Sequence, residues 1–296
     1  MPNVAHAAEL IRAGKLVAFP TETVYGLGAN ALDPAAVERI FAAKGRPKTS
    51  PLIVHVDSIE MARGLAAAWP AAAETLARRY WPGPLTMVLP KRAEVPDIVT
   101  AGLPTVGLRM PAHPLALELI RAAGVPIAGP SANRFTELSP TAASHVPEAL
   151  ADYVLDGGPA RVGIESTVIS LAGQPMLLRP GVIPLPELEA LIGPIRIAGA
   201  PGEGAHDSPG MHARHYRPRT PLVLLRDGEA PPAGKGVKAE MPADPREYAA
   251  ALYEMLHRLD AEGLDWIAID APPDAPEWAG VLDRLRRAAS SSVTPG

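Results

Sequence analysis

Apolar positions along the chain follow two rhythms, a helical spacing of three to four residues and short unbroken runs that read as buried strands. Val4, Leu10 and Ile11 behind a capping Asn3 predict a first helix that stops at Gly14. The run 15–19 predicts a strand, and the hydroxyl- and glycine-rich stretch 20–31 after it a polar loop. Asp33-Pro34 followed by Val37, Ile40 and Phe41 predicts a helix over 34–44 with Gly45 as its left-handed cap. A strand over 52–56, Ala-rich helices over 58–66 and 71–80, and strands over 85–89 and 105–111 come next. Then follow a helix over 114–123, a strand over 125–128, a helix capped by Ser139-Pro140-Thr141, a strand over 153–155, and paired strands over 163–169 and 176–181. Several strands succeed one another without a helix between them, so the fold expected is α/β with a mixed sheet flanked by helices rather than a strictly doubly wound one.

Periodicity fails from 193 to 220, where Gly, Pro, Ala and Asp dominate, and this stretch reads as a linker. Beyond it a strand (220–225), a helix (245–261), a strand (265–270) and a helix (277–289) predict a small β-α-β-α unit. The expected organisation is a larger domain over 1–197, a linker over 198–219 and a small α/β domain over 220–296.

Composition narrows the class. The 296 residues are 47% hydrophobic and 20% charged, which suits a soluble globular protein with a sizeable core. A net charge of −4 confines any RNA contact to a local basic face. With no cysteine, disulfides, thiolate metal sites and Cys nucleophiles are excluded, and a reducing cytoplasm fits. No run reaches the length of a membrane span and no signal-peptide pattern opens the chain, so the expected location is cytoplasmic.

The chemistry gathers in the loops. Lys44-Gly45-Arg46-Pro47-Lys48-Thr49-Ser50-Pro51 sets cations and backbone donors at a helix–strand corner, a seat for a polyanion such as a nucleotide triphosphate. By itself it reads more readily as a solvated basic loop, since basic clusters are common, and only the motifs around it change that preference. Gly26-x-Gly28-x-x-Ala31 matches the dinucleotide fingerprint on paper, but its first glycine does not follow the strand directly and no acidic residue stands at the ribose position. The loop 20–31 is read instead as a ligand loop at a strand's carboxyl end. Gly129-Pro130-Ser131-Ala132-Asn133 resembles a hydrolase elbow without its second glycine, so Ser131 and Asn133 are read as ligand-binding donors. His212 and His215 stand three apart with no carboxylate nearby in sequence, and no metal site is assigned.

Taken together, Pro20-Thr21-Glu22-Thr23-Val24-Tyr25-Gly26-Leu27, Lys44-Gly45-Arg46, Pro51-Leu52-Ile53-Val54-His55 and Trp81-Pro82-Gly83-Pro84-Leu85-Thr86 form an ordered set of motifs. It continues through Gly107-Leu108-Arg109-Met110-Pro111, the Gly129 and Ser139 motifs, Ser166-Thr167-Val168, Leu178-Arg179-Pro180-Gly181, and Ser208-Pro209-Gly210-Met211 with His215-Tyr216. The set resembles the YrdC-type threonylcarbamoyl-AMP synthases in their longer form, from the N-terminus to about residue 220. The small C-terminal unit departs from that form: only a stub, 227–244, stands where relatives carry more sheet and helix.

The resemblance implies a YrdC-like twisted mixed sheet and the condensation of L-threonine, bicarbonate and ATP to threonylcarbamoyl-AMP and pyrophosphate. That product serves threonylcarbamoyladenosine modification of tRNA beside the anticodon, which implies tRNA-modification partner proteins, with tRNA itself as a further candidate, and no membrane. It implies that Lys44 and Arg46, with Mg²⁺, neutralise the triphosphate and the leaving pyrophosphate. Arg46, Ser50, Thr105, Ser131, Asn133, Ser139, Arg179 and Tyr216 are the ATP-site candidates, Asn133 among them as the donor read above. Thr23, His55, Arg109, Gly129 and Ser166 would surround threonine, with Arg109 meeting its carboxylate. Local capping explains the hydroxyls of Thr23, Thr105 and Ser139 equally well. The segment 208–218 is expected to fold over the pocket as a lid, with Tyr216 near the nucleotide.

Two other classes compete. A non-catalytic double-stranded RNA or tRNA-binding module could use the same basic surface, though aromatics make up only 4% of the chain, too few for a stacking platform. A carbamoyltransferase of the hydrogenase-maturation kind contains a similar domain but resembles a pathway that needs zinc fingers and a carrier thiol, and this chain has no Cys.

Overall fold

The computed structural model describes residues 2–199, 216–226 and 228–289. In chain order its first part comprises α1 (Val4–Arg12), β1 (Val17–Phe19), β2 (Gly26–Asn30), α2 (Pro34–Lys44), β3 (Ile53–His55), α3 (Ile59–Leu65), α4 (Ala71–Tyr80) and β4 (Leu85–Pro90). It continues with α5 (Asp97–Thr100), β5 (Thr105–Arg109), α6 (Pro114–Ala123), β6 (Ile127–Ala128), β7 (Tyr153–Val154), β8 (Thr167–Ser170), β9 (Met176–Arg179), α7 (Leu185–Ile192) and β10 (Arg196–Ile197). The caps are those the sequence offers. Asn3 accepts from the His6 amide, Asp33 from the Ala35 amide, and Gly45 ends α2 with a left-handed φ of 62°.

The strands form one ten-stranded sheet in the order β10-β9-β8-β4-β5-β3-β6-β2-β1-β7. Parallel and antiparallel pairs mix, as β3–β5 and β4–β8 run parallel while β4–β5 and β8–β9 run antiparallel. Strand alternation decides what each face does. Val54, Leu85, Met87, Leu89, Val106 and Leu108 enter the main core beneath α2, α3 and α4. Their neighbours Ile53, His55, Thr86, Gly107 and Arg109 point to the opposite face. On that face α1 and α6 cover Phe19 and Ile127 with a second apolar layer, and the part of the sheet beside it holds a cavity.

Several expectations need correction. The stretch 20–31 is not loop throughout: its end is β2, paired antiparallel with β1. The glycines that suggested a loop are strand residues under an aromatic ring, since a Cβ at Gly26 or Gly28 would come within 2.9 Å of the Phe19 ring. Ser139 caps no helix. Only a single 3-10 turn, Ala143–His145, follows it, and its hydroxyl turns instead to Glu165. Periodicity fails from 193, yet Arg196 and Ile197 still pair with β9, so a strand persists where Gly, Pro and Ala obscure the pattern.

The C-terminal unit is built from β11 (Leu222–Leu225), β12 (Gly236–Lys238), α8 (Pro245–Asp260), β13 (Trp266–Asp270) and α9 (Ala279–Ala288). The stub thus supplies a strand, and the unit is β-β-α-β-α, with a parallel sheet ordered β11-β13-β12. Its core is not separate. Leu252, Tyr253, Leu256, Ile267 and Leu285 pack in one cluster with Val24, Leu138, Ile164 and Tyr216. No helix among the described residues is long and apolar enough to cross a membrane.

Candidate active site

A cavity open to solvent lies over the polar face of the sheet, lined by residues within β2, β3, β5 and β9 and by the turns 21–24, 129–131 and 165–166. The turn 21–24, directly after the carboxyl end of β1, is part of that lining, as the reading of 20–31 as a ligand loop expects, and the rest of the pocket spreads across the sheet face.

All five expected threonine contacts line this cavity: Thr23, His55, Arg109, Gly129 and Ser166. Parallel register sets His55 beside Arg109. The Arg109 guanidinium donates to Glu22 at 2.7 Å and to the Gly83 carbonyl at 3.3 Å, while the second Glu22 oxygen accepts from the Ala112 amide. A carboxylate behind an arginine fixes its fork for a second, incoming carboxylate. His55 is buried; desolvation, then the charge of Arg109, lowers its pKa to about 3, so the ring is neutral at physiological pH. Its Nδ1 has no hydrogen-bond partner among the described residues. A Cβ at Gly129 would meet that same nitrogen at 3.3 Å, so glycine keeps the space before it open.

Of the nucleotide set, Arg46, Ser131, Arg179 and Tyr216 line the cavity. Arg46 donates to the Ser50 hydroxyl and, at 3.1 Å, to the Pro51 carbonyl, which closes the corner 46–51 on itself. Burial lowers its pKa to about 10, so it remains a cation, and its Nε is unpartnered among the described residues. Arg179 donates to the Ser166 carbonyl at 3.0 Å and to its hydroxyl at 3.2 Å. Ser166 in turn meets the Thr86 hydroxyl at 2.8 Å. Tyr216 is buried with a φ of 63°, next to Arg217, whose amide bonds the Thr136 carbonyl. The expected lid is described only at this end, as 208–215, including Met211, His212 and His215, lie outside the described residues.

The other candidates stand one step back. The buried Lys44 ammonium donates to the carbonyls of Ser131 and Asn133, and desolvation pulls its pKa well down. It ties α2 to the 129–133 turn rather than facing the cavity. Ser50 is the acceptor for Arg46, and Asn133 spans the Arg134 and Glu137 carbonyls with its amide group. Thr105 opens on an adjoining small recess that shares Ile53 with the main cavity.

Three residues at the site carry no role in the sequence reading: Thr21, Glu22 and Glu165. Glu22 stands inside the Pro20–Leu27 motif and Glu165 directly precedes Ser166-Thr167-Val168, so a carboxylate among hydroxyls was the available signal. Thr21 accepts from the Thr23 and Val24 amides and donates to the Val24 carbonyl, which shapes the turn that presents Thr23.

Residues 9–181 match the model of the Sua5, YciO and YrdC family, described as telomere recombination, and residues 183–290 match one described as the threonylcarbamoyl-AMP synthase C-terminal domain. The threonylcarbamoyl-AMP synthase of Pyrococcus abyssi is 45% identical, over 97% of this chain and 94% of its own length. That of Bacillus subtilis is 42% identical, over 99% and 94%. In three dimensions the chain is similar to Pyrococcus abyssi Sua5 complexed with L-threonine, with a TM-score of 0.89 and 43% identity over 97% of this chain and 94% of that one. Motif order, a polar sheet face under a cation-lined cavity, and likeness over nearly the whole length of both chains agree: the chain belongs to the Sua5/YrdC family.

Proposed function

We propose that the chain is a threonylcarbamoyl-AMP synthase, a nucleotidyltransferase that condenses L-threonine, bicarbonate and ATP to threonylcarbamoyl-AMP, pyrophosphate and water. The observation that carries this reading is the charge of the cavity. Arg46, Arg109 and Arg179 line it against one carboxylate, Glu165, and that carboxylate is already paired with Arg284. Such a lining suits a polyanion and an amino-acid carboxylate together. An RNA-binding module has no use for three arginines gathered in one pocket with the hydroxyls of Thr23, Ser131 and Ser166.

The chemistry needs no protein nucleophile. The threonine amine takes up bicarbonate and releases water to give a carbamate. A carbamate oxygen then attacks the α-phosphorus, and pyrophosphate leaves in line. Arg109, held by Glu22, takes the threonine carboxylate; His55 and Ser166 are placed for its polar groups. Arg46 and Arg179 meet the phosphates, and Tyr216 excludes water from the mixed anhydride. Mg²⁺ bound with ATP would share with Arg46 and Arg179 the neutralisation of the phosphates and of the leaving pyrophosphate. The product would pass to cytoplasmic partner proteins that modify tRNA.

Pyrophosphate release with ATP, bicarbonate and each amino acid in turn tests the reading. Release should require all three substrates. Because a hydroxyl-reading site rejects the analogue lacking it far better than it senses a methyl, valine should be poorer than serine. Equal rates with valine and threonine would contradict the assignment of the polar residues.

A further inference from the structure

Helix α9 presents Val281, Leu282, Leu285 and Ala288 to the core, and the same buried stripe contains an arginine, Arg284, fully enclosed. A guanidinium on an apolar face is expensive unless its donors are all met. Here they are met mostly by the catalytic part of the chain, with Asp283 of the same helix as a further acceptor. Nε donates to Glu165 at 2.7 Å, a terminal nitrogen to the Glu165 carbonyl at 3.2 Å, and the other to the Pro180 carbonyl at 2.9 Å and to Asp283 at 2.8 Å. The guanidinium also lies over the Tyr216 ring, 5.3 Å from its centroid.

Glu165 is the hub of this arrangement. It accepts from the Ser139 hydroxyl and, at 3.3 Å, from Tyr253 on α8, and it lines the cavity beside Ser166, Arg179 and Tyr216. Burial alone would push this carboxyl up; Arg284 and Arg179 outweigh that and hold its pKa at about 2. A bare carboxylate here would repel phosphate and draw Arg179 away from Ser166. Close packing supports a fixed placement: Gly163, at a φ of +80°, stands where a Cβ would come within 2.2 Å of the Ala249 carbonyl on α8.

We propose that Arg284, carried in by the C-terminal unit, is a positioning residue for the nucleotide half of the site. It pairs with Glu165 so that this carboxylate anchors Ser139 and leaves Arg179 on Ser166, facing the triphosphate. The C-terminal unit is thereby a working part of the ATP site. This rests on the synthase reading for the identity of the nucleotide.

The test measures binding of a non-hydrolysable ATP analogue and, separately, of threonine to the full-length chain by calorimetry. Arg284→Met should weaken the analogue about ten- to a hundredfold and threonine less than about threefold. Arg284→Lys, which keeps the charge, should fall between. Arg284→Met combined with Glu165→Gln, which removes the stranded carboxylate, should regain much of the lost analogue affinity. Unchanged analogue affinity in Arg284→Met would overturn the proposal, as would equal losses of both ligands with no recovery in the double variant. If Arg284→Met does not fold, Arg284→Lys carries the test, and wild-type affinity in it overturns the inference. Failure of the wild-type chain to bind the analogue would instead count against the synthase reading.

Discussion

At the scale of single residues, environment separates groups that look alike in sequence. Lys44 and Arg46 are two positions apart, yet Arg46 lines the cavity while Lys44 is spent on two backbone carbonyls. Arg46→Met should therefore lower kcat/KM for ATP on the order of a hundred- to a thousandfold, with threonine affinity nearly unchanged. Steady-state kinetics with each substrate varied in turn checks this, and a loss confined to threonine would contradict it. His55 gives a pH expectation. With its pKa at about 3, it adds no step to the rate profile between pH 5 and 8; a step near 6.5 that vanishes in His55→Gln would show that the ring titrates. The motifs made the cavity arginines legible in sequence. Arg284 was not, because it lies 119 positions from Glu165 and resembles any charge on an amphipathic helix.

At the scale of elements, α8 docks on the catalytic part through histidines. The His257 ring stacks on His145 at 4.0 Å and bonds the Ser139 carbonyl at 3.0 Å. Burial lowers both pKa values, that of His257 to about 4, with His145 opposing a second charge. In the unfolded chain each ring takes its proton near 6.5. The unfolded state therefore binds more protons below that pH, and stability should fall as the pH drops from about 6.5 towards 4. Chemical denaturation at a series of pH values should show a shallower fall in His257→Gln than in the wild type; identical slopes would contradict this. Helices with clear caps, such as α2 and α6, were legible almost to the residue. Strand β2 was not, because Gly-Leu-Gly-Ala-Asn has loop propensity and becomes a strand only under the Phe19 ring. Short α5, α7 and β10 likewise depend on what they pack against.

For the molecule as a whole, the C-terminal unit shares a core cluster with Val24, Leu138, Ile164 and Tyr216, so the two parts should unfold together. Calorimetry should give one transition, and two well-separated ones would contradict the shared core. The small sheet was only partly legible, since β12 sits in a Pro- and Gly-rich stub and gains strand character by pairing with β13. The central claim is that one cavity joins threonine, bicarbonate and ATP. Mass spectrometry of the products formed with ¹³C-bicarbonate tests it most directly. The expected result is threonylcarbamoyl-AMP one mass unit heavier than with unlabelled bicarbonate, formed with pyrophosphate and absent when threonine is left out. Pyrophosphate and AMP without a labelled adduct, or no turnover of ATP, would contradict it.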